Sequence, residues 1–376
     1  MLVRDSHLPN QPELPLVGVC IPAYNSEATL GETLEAVLAQ DYPRLDIVVS
    51  DNQSTDRTKA IVEHYAERGV RYCTPGKRPE WAANLPSYIG AYSNANFVLS
   101  QGRGDYLCLF HSDDLYEPSI VRQQVKVMQA HPQVGAVFAR MRMIGEDSRP
   151  IRMGTYKLPD ELHGRLTFDF STLLNAVLAH SNFLPTPSVM LRRSVVEQVG
   201  GFDELHFLTS ADLEMWLRIA CQGYEIAIID QPLLNYRISQ RQFGGKYNKL
   251  RTTLADIFGV LDHYLSQPGV QAMVQPQSLA VYETHRAVDH VLCSMNLLTQ
   301  GKVDEARARL QLAIQARYFI TGLKRPRLLV RLVVGACFWV STRLGLGTLL
   351  GQLVYRAYQC DLQRRREPIV QGEQIE

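Results

Sequence analysis

Residues 106–114 read Tyr106-Leu107-Cys108-Leu109-Phe110-His111-Ser112-Asp113-Asp114, an apolar run that ends in two adjacent carboxylates. An apolar run of this length with polar boundaries predicts a buried strand. In open α/β sheets, ligands bind in the crevice outside the carboxyl ends of the strands. Paired acids at such an end suit a hard divalent cation, which prefers oxygen ligands. The alternative is two acids in a solvated loop, and the neighbouring segments bear on the choice.

Strand and helix patterns alternate around this run, from Leu16 to about Arg140. The pattern predicts strands at 17–21, 46–50, 70–73 and 134–140, and helices at 26–39, 58–67 and 119–130. It weakens between residues 140 and 182. Short elements then return, with helices at 194–199 and 211–221 and a strand at 226–229. Beyond about residue 247 the sequence looks helical throughout, including the pair 287–298 and 303–316. The alternation predicts the α/β class, with a mostly parallel sheet flanked by helices and followed by a helical C-terminal region.

Composition excludes several classes of protein. The chain has 376 residues and a net charge of +1, and nucleic-acid binding needs a basic surplus. Its seven cysteines are odd in number and show no CxxC pairing, which predicts a reducing compartment and no zinc site. Residues 1–5 lack the apolar segment of a signal peptide, so we expect a cytoplasmic protein.

Two loops that follow the first strands carry candidate binding residues. The first, Pro22-Ala23-Tyr24-Asn25, lacks the glycines of a dinucleotide-binding turn. Instead, Pro22 stiffens the turn, and the ring of Tyr24 could stack on a base. In the second loop, Asp51 is placed to accept hydrogen bonds from a base or ribose. Asp56 and its neighbours Ser54 and Thr55 are residue types that favour helix N-caps, so we interpret Asp56 as mainly structural.

Another candidate acid, Asp212, opens the helix 211–221. It could simply complement the helix dipole, or it could act as a general base toward a substrate hydroxyl, and spacing leaves both open. Trp81 and Asn84, in a segment rich in turn formers, are weaker candidates for lining a donor or acceptor pocket.

Together these segments resemble the inverting, metal-dependent family 2 glycosyltransferases with the GT-A fold. The resemblance covers about residues 14–240, and its motifs keep the family's order. They are Pro22-Ala23-Tyr24-Asn25, Ser50-Asp51-Asn52-Gln53-Ser54-Thr55-Asp56, Asn94-Ala95-Asn96 with Gly104-Asp105-Tyr106, Ser112-Asp113-Asp114, Gly200-Gly201-Phe202-Asp203-Glu204, Ala211-Asp212 with Trp216-Leu217-Arg218, and Tyr236-Arg237. Each motif alone is weak, but seven in register make chance unlikely to explain them.

The resemblance implies a role for each matching residue. The donor is a nucleoside-diphosphate sugar, Asp114 holds Mg²⁺ or Mn²⁺, and Asp212 is the general base. The residues implied in donor binding are Pro22, Ala23, Tyr24, Asn25, Asp51, Asn96, Asp113, Arg237 and Arg241. Three positions depart from the family. His111 stands where an acid is common, Ala211 replaces the acid before the base, and Ser239 replaces a histidine, with Arg241 close by as a substitute.

Four regions are predicted: an N-terminal extension (1–13), the GT-A catalytic domain (14–245), a helical region (246–325) and a basic amphipathic tail (326–376). The tail mixes arginines with the uncharged runs 332–340 and 344–350, both shorter than the roughly 20 residues that span a bilayer. This mixture is typical of a helix at a membrane surface, which predicts attachment to the inner face of the cell membrane. The alternative is a soluble helical hairpin packed on the catalytic domain.

The predicted acceptor is a saccharide, most plausibly lipid-linked as in bacterial surface polysaccharides. Two rival functions remain at this level. One is a catalytically silent GT-A scaffold that binds a sugar nucleotide, favoured by the departures at His111, Ala211 and Ser239. The other is a nucleotidyltransferase, which should carry a glycine-rich basic loop after the first strand and does not. The oligomeric state stays unassigned.

Overall fold

The computed structural model of the chain describes residues 14–75, 90–239 and 251–368. The predicted site residues Trp81, Asn84 and Arg241 lie outside these described residues, as do the extension 1–13 and the last eight residues of the tail.

The first half of the chain builds strand–helix units. Its elements are β1 (Val17–Ala23), α1 (Leu30–Leu38), β2 (Leu45–Asp51), α2 (Thr58–His64), β3 (Val70–Cys73), α3 (Ala91–Gln101), β4 (Tyr106–Leu109), β5 (Leu115–Tyr116) and α4 (Ile120–Ala130). Val17 aligns with Leu45 of β2 and with Tyr106 of β4, and both pairings are parallel. The strands are nearly continuous apolar runs because helices cover both faces of the sheet.

The second half completes the sheet and adds helices. Its elements up to the last strand are β6 (Val134–Ile144), β7 (Pro150–Thr155), β8 (Thr167–Phe168), α5 (Phe170–His180), β9 (Met190–Arg192), α6 (Arg193–Val199), α7 (Glu204–Phe207), α8 (Ala211–Cys221) and β10 (Glu225–Arg237). The helices that follow are α9 (Asp256–Leu265), α10 (Pro268–Gln271), α11 (Pro276–Thr299), α12 (Val303–Ala313), α13 (Ala316–Leu323), α14 (Pro326–Arg343) and α15 (Gly347–Arg365).

Strand order places four strand ends at one edge of the sheet. The order is β3-β2-β1-β4-β9-β6-β10-β5, with β7 on β6 and β8 on β10. β9 is antiparallel to both β4 and β6, so β4 and β6 run in the same direction, and β10 is parallel to β6. The carboxyl ends of β1, β2, β4 and β10 therefore meet at the same edge. The predicted mostly parallel sheet is confirmed, with β9 as an antiparallel insertion.

Two apolar cores flank the sheet. One contains side chains of α1, α2 and α4, and the other contains side chains of α3, α5 and α8. Trp216 of α8 is fully buried in the second core and meets Phe138 and Phe202 edge to face. Phe258, Leu261 and Tyr264 of α9 belong to this same core. The packing of the catalytic sheet therefore extends past the predicted boundary at residue 246.

Several elements differ from the sequence-based expectation. α5 lies in the stretch where the pattern weakens, and Asp169 caps it by accepting a hydrogen bond from the Thr172 N–H. β10 extends eight residues beyond the predicted strand end at Ile229, because register shifts let it bend and continue beside β6. β9 has only three residues, too few to show a periodicity.

The C-terminal helices form a third core around α11. α14 and α15 approach α11 closely at glycines: a Cβ on Gly335 would lie 2.5 Å from Val291, and one on Gly351 would lie 2.7 Å from Leu298. Val291 and Leu298 are seven residues apart on α11, so both helices pack against the same face of it. In the described part of the chain, no helix combines the length and the apolar composition needed to cross a membrane.

Candidate active site

The loops after β1 and β2 are joined by a lattice of hydrogen bonds. The Asn25 N–H donates to Ser54 Oγ at 2.8 Å, and Asn25 Oδ1 accepts from the Thr55 N–H at 2.9 Å. The Ser26 N–H donates to Thr58 Oγ1 at 2.8 Å. Asn25 has a positive φ of 48°, a conformation that asparagine tolerates better than most residues. The structure therefore uses Asn25, a predicted donor-binding residue, to hold the two loops together.

Asp56 belongs to this same lattice. Its carboxylate accepts from the Thr58 N–H and hydroxyl and from the Glu27 N–H. Burial opposes the charge on Asp56, but these hydrogen bonds outweigh burial and lower its pKa. The geometry matches the structural role predicted for this residue.

Asp51 and Tyr24 lie at the neighbouring ends of β2 and β1, where Ala23 pairs with Asp51. Asp51 is only 3% exposed, and its two oxygens accept from the Ser54 N–H at 2.9 Å and the Tyr72 hydroxyl at 3.1 Å. Burial and the charge of Asp51 raise the pKa of Tyr72 to about 12. The ring of Tyr24 is 47% exposed, and Pro22 and Ala23 end β1 beside it. A free aromatic face beside a fixed carboxylate suits a nucleobase.

The two asparagines of α3 have separate tasks. Asn94 reaches the sheet edge, where its Oδ1 accepts from Ser50 Oγ at 2.6 Å and its Nδ2 donates to the Ser50 carbonyl at 3.1 Å. Asn96 is turned the other way: its Nδ2 donates to the Phe202 carbonyl at 2.9 Å and its Oδ1 accepts from the Phe202 N–H at 2.8 Å. Both amide atoms of Asn96, a predicted donor-binding residue, thus hold the 200–203 turn.

His111, Asp113 and Asp114 converge after β4. One potential ligand atom from each lies within 4.8 Å of the other two. The loop that carries them is fastened to the β1–α1 segment, since Ser112 Oγ lies 2.8 Å from Ser26 Oγ. Thr33 of α1 also donates to the Asp114 carbonyl at 2.9 Å.

This cluster fits a divalent cation. Asp114 is fully buried, and its Oδ2 has no hydrogen-bond partner among the described residues. Burial, and then the neighbouring charge of Asp113, raise the pKa of Asp114, so a cation would relieve a cost that the protein alone leaves uncompensated. Burial lowers the pKa of His111 to about 4, which leaves its imidazole neutral and able to ligate. From the sequence, Asp114 is the predicted metal ligand, and His111 is only a position that departs from the family.

Arg237 holds the loop that carries this cluster through its side-chain hydrogen bonds. Its Nε donates to the Asp113 carbonyl at 2.7 Å, and its Nη2 pairs with Glu32 at 2.8 Å. Its Nη1 donates to Ser148 Oγ at 2.9 Å and to the Glu146 carbonyl at 3.0 Å. The guanidinium is almost fully buried. In this structure Arg237, a predicted donor-binding residue, therefore holds the backbone of the acidic loop.

Asp212 lies partly buried at the start of α8. Its Oδ2 accepts from Thr186 Oγ1 at 2.7 Å, and its Oδ1 accepts from the Leu213 N–H at 2.7 Å. Desolvation raises its pKa, and the hydrogen bonds from Thr186 and Leu213 offset part of that shift. A partly buried carboxylate with a raised pKa suits a general base at neutral pH. Thr186 was missed, because its nearness to Asp212 depends on the packing of a short 3₁₀ turn at residues 186–188.

Tyr236 connects the acidic cluster with Asp212. Burial raises its pKa, followed by the negative charges of Asp114, Asp113 and Asp212 in that order. The phenol of Tyr236 thus lies within electrostatic range of both the predicted metal ligand and the predicted base.

Comparison with known proteins fits this geometry. Residues 18–200 match the description "Glycosyl transferase family 2". This segment, just under half of the chain, is therefore similar to glycosyltransferase family 2. The matched segment includes Asp51, Asp113 and Asp114, whereas Asp212 and Tyr236 follow its end.

Curated relatives share the N-terminal part of the chain. MT1568 of Mycobacterium tuberculosis is 31% identical over 217 residues, which cover 55% of this chain and 63% of that protein. "Probable glycosyltransferase YdaM" of Bacillus subtilis is 29% identical over 223 residues, which cover 58% of this chain and 49% of that protein. The chain thus spans about half to two thirds of the length of these relatives.

A solved structure shares the architecture of this chain. The S. aureus TarS 1-349 structure in complex with UDP-GlcNAc aligns with a TM-score of 0.55 and 15% identity, over 88% of this chain and 92% of that one. This likeness confirms the predicted GT-A-type fold, a sheet flanked by helices with a helical C-terminal region.

Proposed function

We propose that this chain transfers a sugar from a nucleoside-diphosphate sugar to an acceptor hydroxyl, with inversion at the anomeric carbon. The observation that carries the proposal is the convergence of His111, Asp113 and Asp114 at the strand ends, where the buried Asp114 Oδ2 has no partner among the described residues. A diphosphate bound there through a cation and a general base at Asp212 would act on the same anomeric carbon from opposite sides. The similarity of residues 18–200 to family 2 supports this reading.

The donor would lie across the strand ends. Its base would stack on Tyr24 and hydrogen-bond to Asp51, and its ribose would lie beside Asp113. His111 and Asp114 would hold Mn²⁺ or Mg²⁺, and the mixed imidazole and carboxylate donors favour Mn²⁺. When bound, the cation neutralises the charge that develops on the diphosphate leaving group.

Asp212 would carry out the proton transfer. Thr186 and the Leu213 N–H fix its carboxylate, which takes the proton of the acceptor hydroxyl. The acceptor oxygen then bonds to the anomeric carbon while the bond from that carbon to the diphosphate oxygen breaks. The proton stays on Asp212 and the electron pair leaves with the nucleoside diphosphate. A single displacement inverts the configuration, and no carboxylate nucleophile is needed.

Binding of nucleotides tests the donor site first. UDP, GDP and dTDP would be titrated into the protein by calorimetry, each with and without Mn²⁺, starting with UDP because TarS binds a UDP-sugar. We expect metal-dependent binding of one nucleotide. If none binds, the donor site is wrong as a whole.

Turnover then tests the chemistry. Asp212→Asn should abolish transfer while nucleotide affinity stays unchanged, and the exposed Asp304→Asn on α12 is the matched control. The anomeric configuration of the product, read by proton NMR, should be inverted, and a retained configuration would refute the single displacement. Nucleotide binding without turnover for any donor would favour the silent scaffold, which the absence of an acid at Ala211 supports.

We further propose that the protein works at the inner face of the cell membrane on a lipid-linked saccharide. α14 carries exposed apolar side chains at helical spacing, Val330, Val333 and Val340, and α15 carries Leu349 and Leu353. Leu344 and Leu346, in the turn between the two helices, are also exposed. Both helices bury their opposite sides against α11, so the two stripes point away from the protein. Exposed Arg327 and Arg331 flank the α14 stripe, which suits an anionic leaflet.

Vesicle binding tests this surface. We expect sedimentation with vesicles containing anionic phosphatidylglycerol, and weaker sedimentation with neutral phosphatidylcholine. Val340→Asp should reduce binding, whereas Met153→Asp, at an exposed apolar residue of β7, should not. Equal losses in both variants would contradict a specific membrane face.

A further inference from the structure

A cavity of about 380 Å³ lies among the helices that follow the sheet. α5, α9, α11, α14 and α15 enclose it, and its walls are mainly apolar. The apolar lining includes Phe258, Leu261, Val288, Leu292, Val334 and Phe338. The volume falls near the lower end of the roughly 300–1,000 Å³ typical of small-molecule sites, which suits a single hydrocarbon chain.

One wall of this cavity carries positive charge. Arg331 lines it and has neither an ion pair nor a hydrogen bond with any described residue. His285 also lines it, and burial, followed by the charges of Arg325, Arg331 and His180, lowers the pKa of His285. His285 and Arg325 both contact the Ala179 carbonyl at the end of α5, at 3.3 and 3.2 Å. Two basic side chains, His285 of α11 and Arg331 of α14, therefore line the apolar space, and Arg325, just before α14, shares the Ala179 carbonyl with His285.

The acid that lines this cavity does not cancel the charge. Asp289 is held by Arg251, with an oxygen-to-nitrogen distance of 2.6 Å in a pair that is almost fully buried, and it also accepts from the Ala255 N–H. Its negative charge is therefore compensated within the wall. What remains is an apolar chamber with an unpaired guanidinium, a combination that matches an apolar chain ending in an anionic head.

We propose that this cavity binds a single-chain anionic amphiphile, with its hydrocarbon chain among the apolar side chains and a phosphate or carboxylate head at Arg331. The backbone at the cavity supports a binding role. Ser181, which lines it, has φ 67° and ψ −169°, a conformation almost confined to glycine. Such strain in a non-glycine residue is typical of ligand-binding segments.

The cavity lies close to the base. Ser181 and Thr186 are five residues apart, so their Cα atoms are at most about 18 Å apart even with the chain fully extended. Thr186 in turn donates to Asp212. On the proposed function, from which this step follows, the amphiphile is the lipid part of the acceptor, held where its attached saccharide can reach Asp212.

Dodecyl phosphate below its micellar concentration is a suitable probe, titrated calorimetrically into the full chain. Dodecanol and inorganic phosphate serve as the two half-ligands. We expect dodecyl phosphate to bind more tightly than either. If inorganic phosphate binds equally well, the site is a free-anion site and the chain-binding proposal is overturned.

Paired variants on α14 test the location. Val334→Phe fills the cavity and should weaken dodecyl phosphate binding by about tenfold or more, the loss of roughly two buried methylenes. Val333→Phe changes the adjacent residue on the exposed face and should leave binding unchanged. If Val333→Phe weakens binding while Val334→Phe does not, the amphiphile adsorbs to the surface and the cavity assignment is wrong.

A second pair tests the head group without altering the core. Arg331→Gln should reduce the affinity for dodecyl phosphate to that for dodecanol, and Arg327→Gln, on the same helix but outside the cavity, should not. Equal effects of the two substitutions would overturn the role of Arg331. Nucleotide binding is measured on every variant and should not change. If the wild type binds no nucleotide, the proposed transferase activity is refuted. The measurement of amphiphile binding still stands in that case.

Discussion

The backbone N–H of Arg237 donates to Asp114 Oδ1 at 2.8 Å, across 123 positions of the chain. The side chain of the same arginine donates to the Asp113 carbonyl. The end of β10 thus fixes both the backbone and one carboxylate oxygen of the acidic loop, and leaves Asp114 Oδ2 without a partner among the described residues. In the proposed metal site, Arg237 would orient the ligands without touching the cation.

Arg237→Lys should weaken Mn²⁺ binding by roughly 10- to 100-fold, the usual effect of removing a partner that orients metal ligands. Lysine keeps the charge but cannot reproduce the planar set of donors. Manganese titration followed by electron paramagnetic resonance would measure the affinity. Arg142→Lys on β6 is the matched control and should behave as wild type. Unchanged affinity in Arg237→Lys would contradict the positioning role.

Asp114→Asn should abolish stabilisation of the fold by Mn²⁺. A ligand that binds only the native state raises the melting temperature, so the wild type should melt higher with saturating Mn²⁺ than with a chelator. The asparagine can still accept from the Arg237 N–H, which preserves the loop. Differential scanning calorimetry with and without metal compares the two proteins. An equal metal-induced rise in both would remove Asp114 from the ligand set.

Thr186→Val should move the acid limb of the pH–rate profile to higher pH. The general base works only when ionised, and burial already raises the pKa of Asp212. Losing the Thr186 hydroxyl removes a hydrogen bond that favours the carboxylate, so the pKa of Asp212 rises further. Thr186→Ser keeps the hydroxyl and should keep the wild-type profile. A limb that stays in place in Thr186→Val would mean that another group sets it.

Glu204→Gln should lower the free energy of unfolding by about 1–3 kcal/mol. The buried carboxylate accepts from the Gly90 and Ser93 N–H groups and the Ser93 hydroxyl, which caps α3 from a distant turn. The glutamine side chain would place its own N–H group against one of these N–H or O–H groups, so that one hydrogen bond is lost. Urea unfolding followed by tryptophan fluorescence measures the change, with Glu197→Gln on α6 as the exposed control. A loss no larger than that of the control would show that the cap contributes little.

The strands that carry the site could be predicted because parallel strands buried on both faces are uninterrupted apolar runs. The run ending in Asp113 and Asp114 shows this most clearly. Polar residues at its end, and at the end of β2, could be assigned to one edge without coordinates. The sequence could also have shown that Asn94 and Asn96 contact different segments, since residues two apart on a helix point to nearly opposite sides.

What could not be predicted depends on contacts between distant segments. The direction of Arg237 is set by Glu32, 205 positions away, and by the 145–148 turn. Thr186 reaches Asp212 only because a short turn packs beside α8. β9 is defined by pairing with β4 and β6 rather than by its own three residues. The cavity among the C-terminal helices likewise exists only once α5, α11 and α14 are packed together.

The contact between Ser26 and Ser112 has a practical consequence for anyone who redesigns the nucleotide preference of this protein. The loop that would read the base is fastened to the loop that would hold the metal. Grafting a foreign β1–α1 loop would therefore loosen the metal ligands as well as change the base. Single substitutions at Tyr24 or Asp51 leave Ser26 in place. They would therefore change recognition of the base without disturbing the loop of the metal ligands.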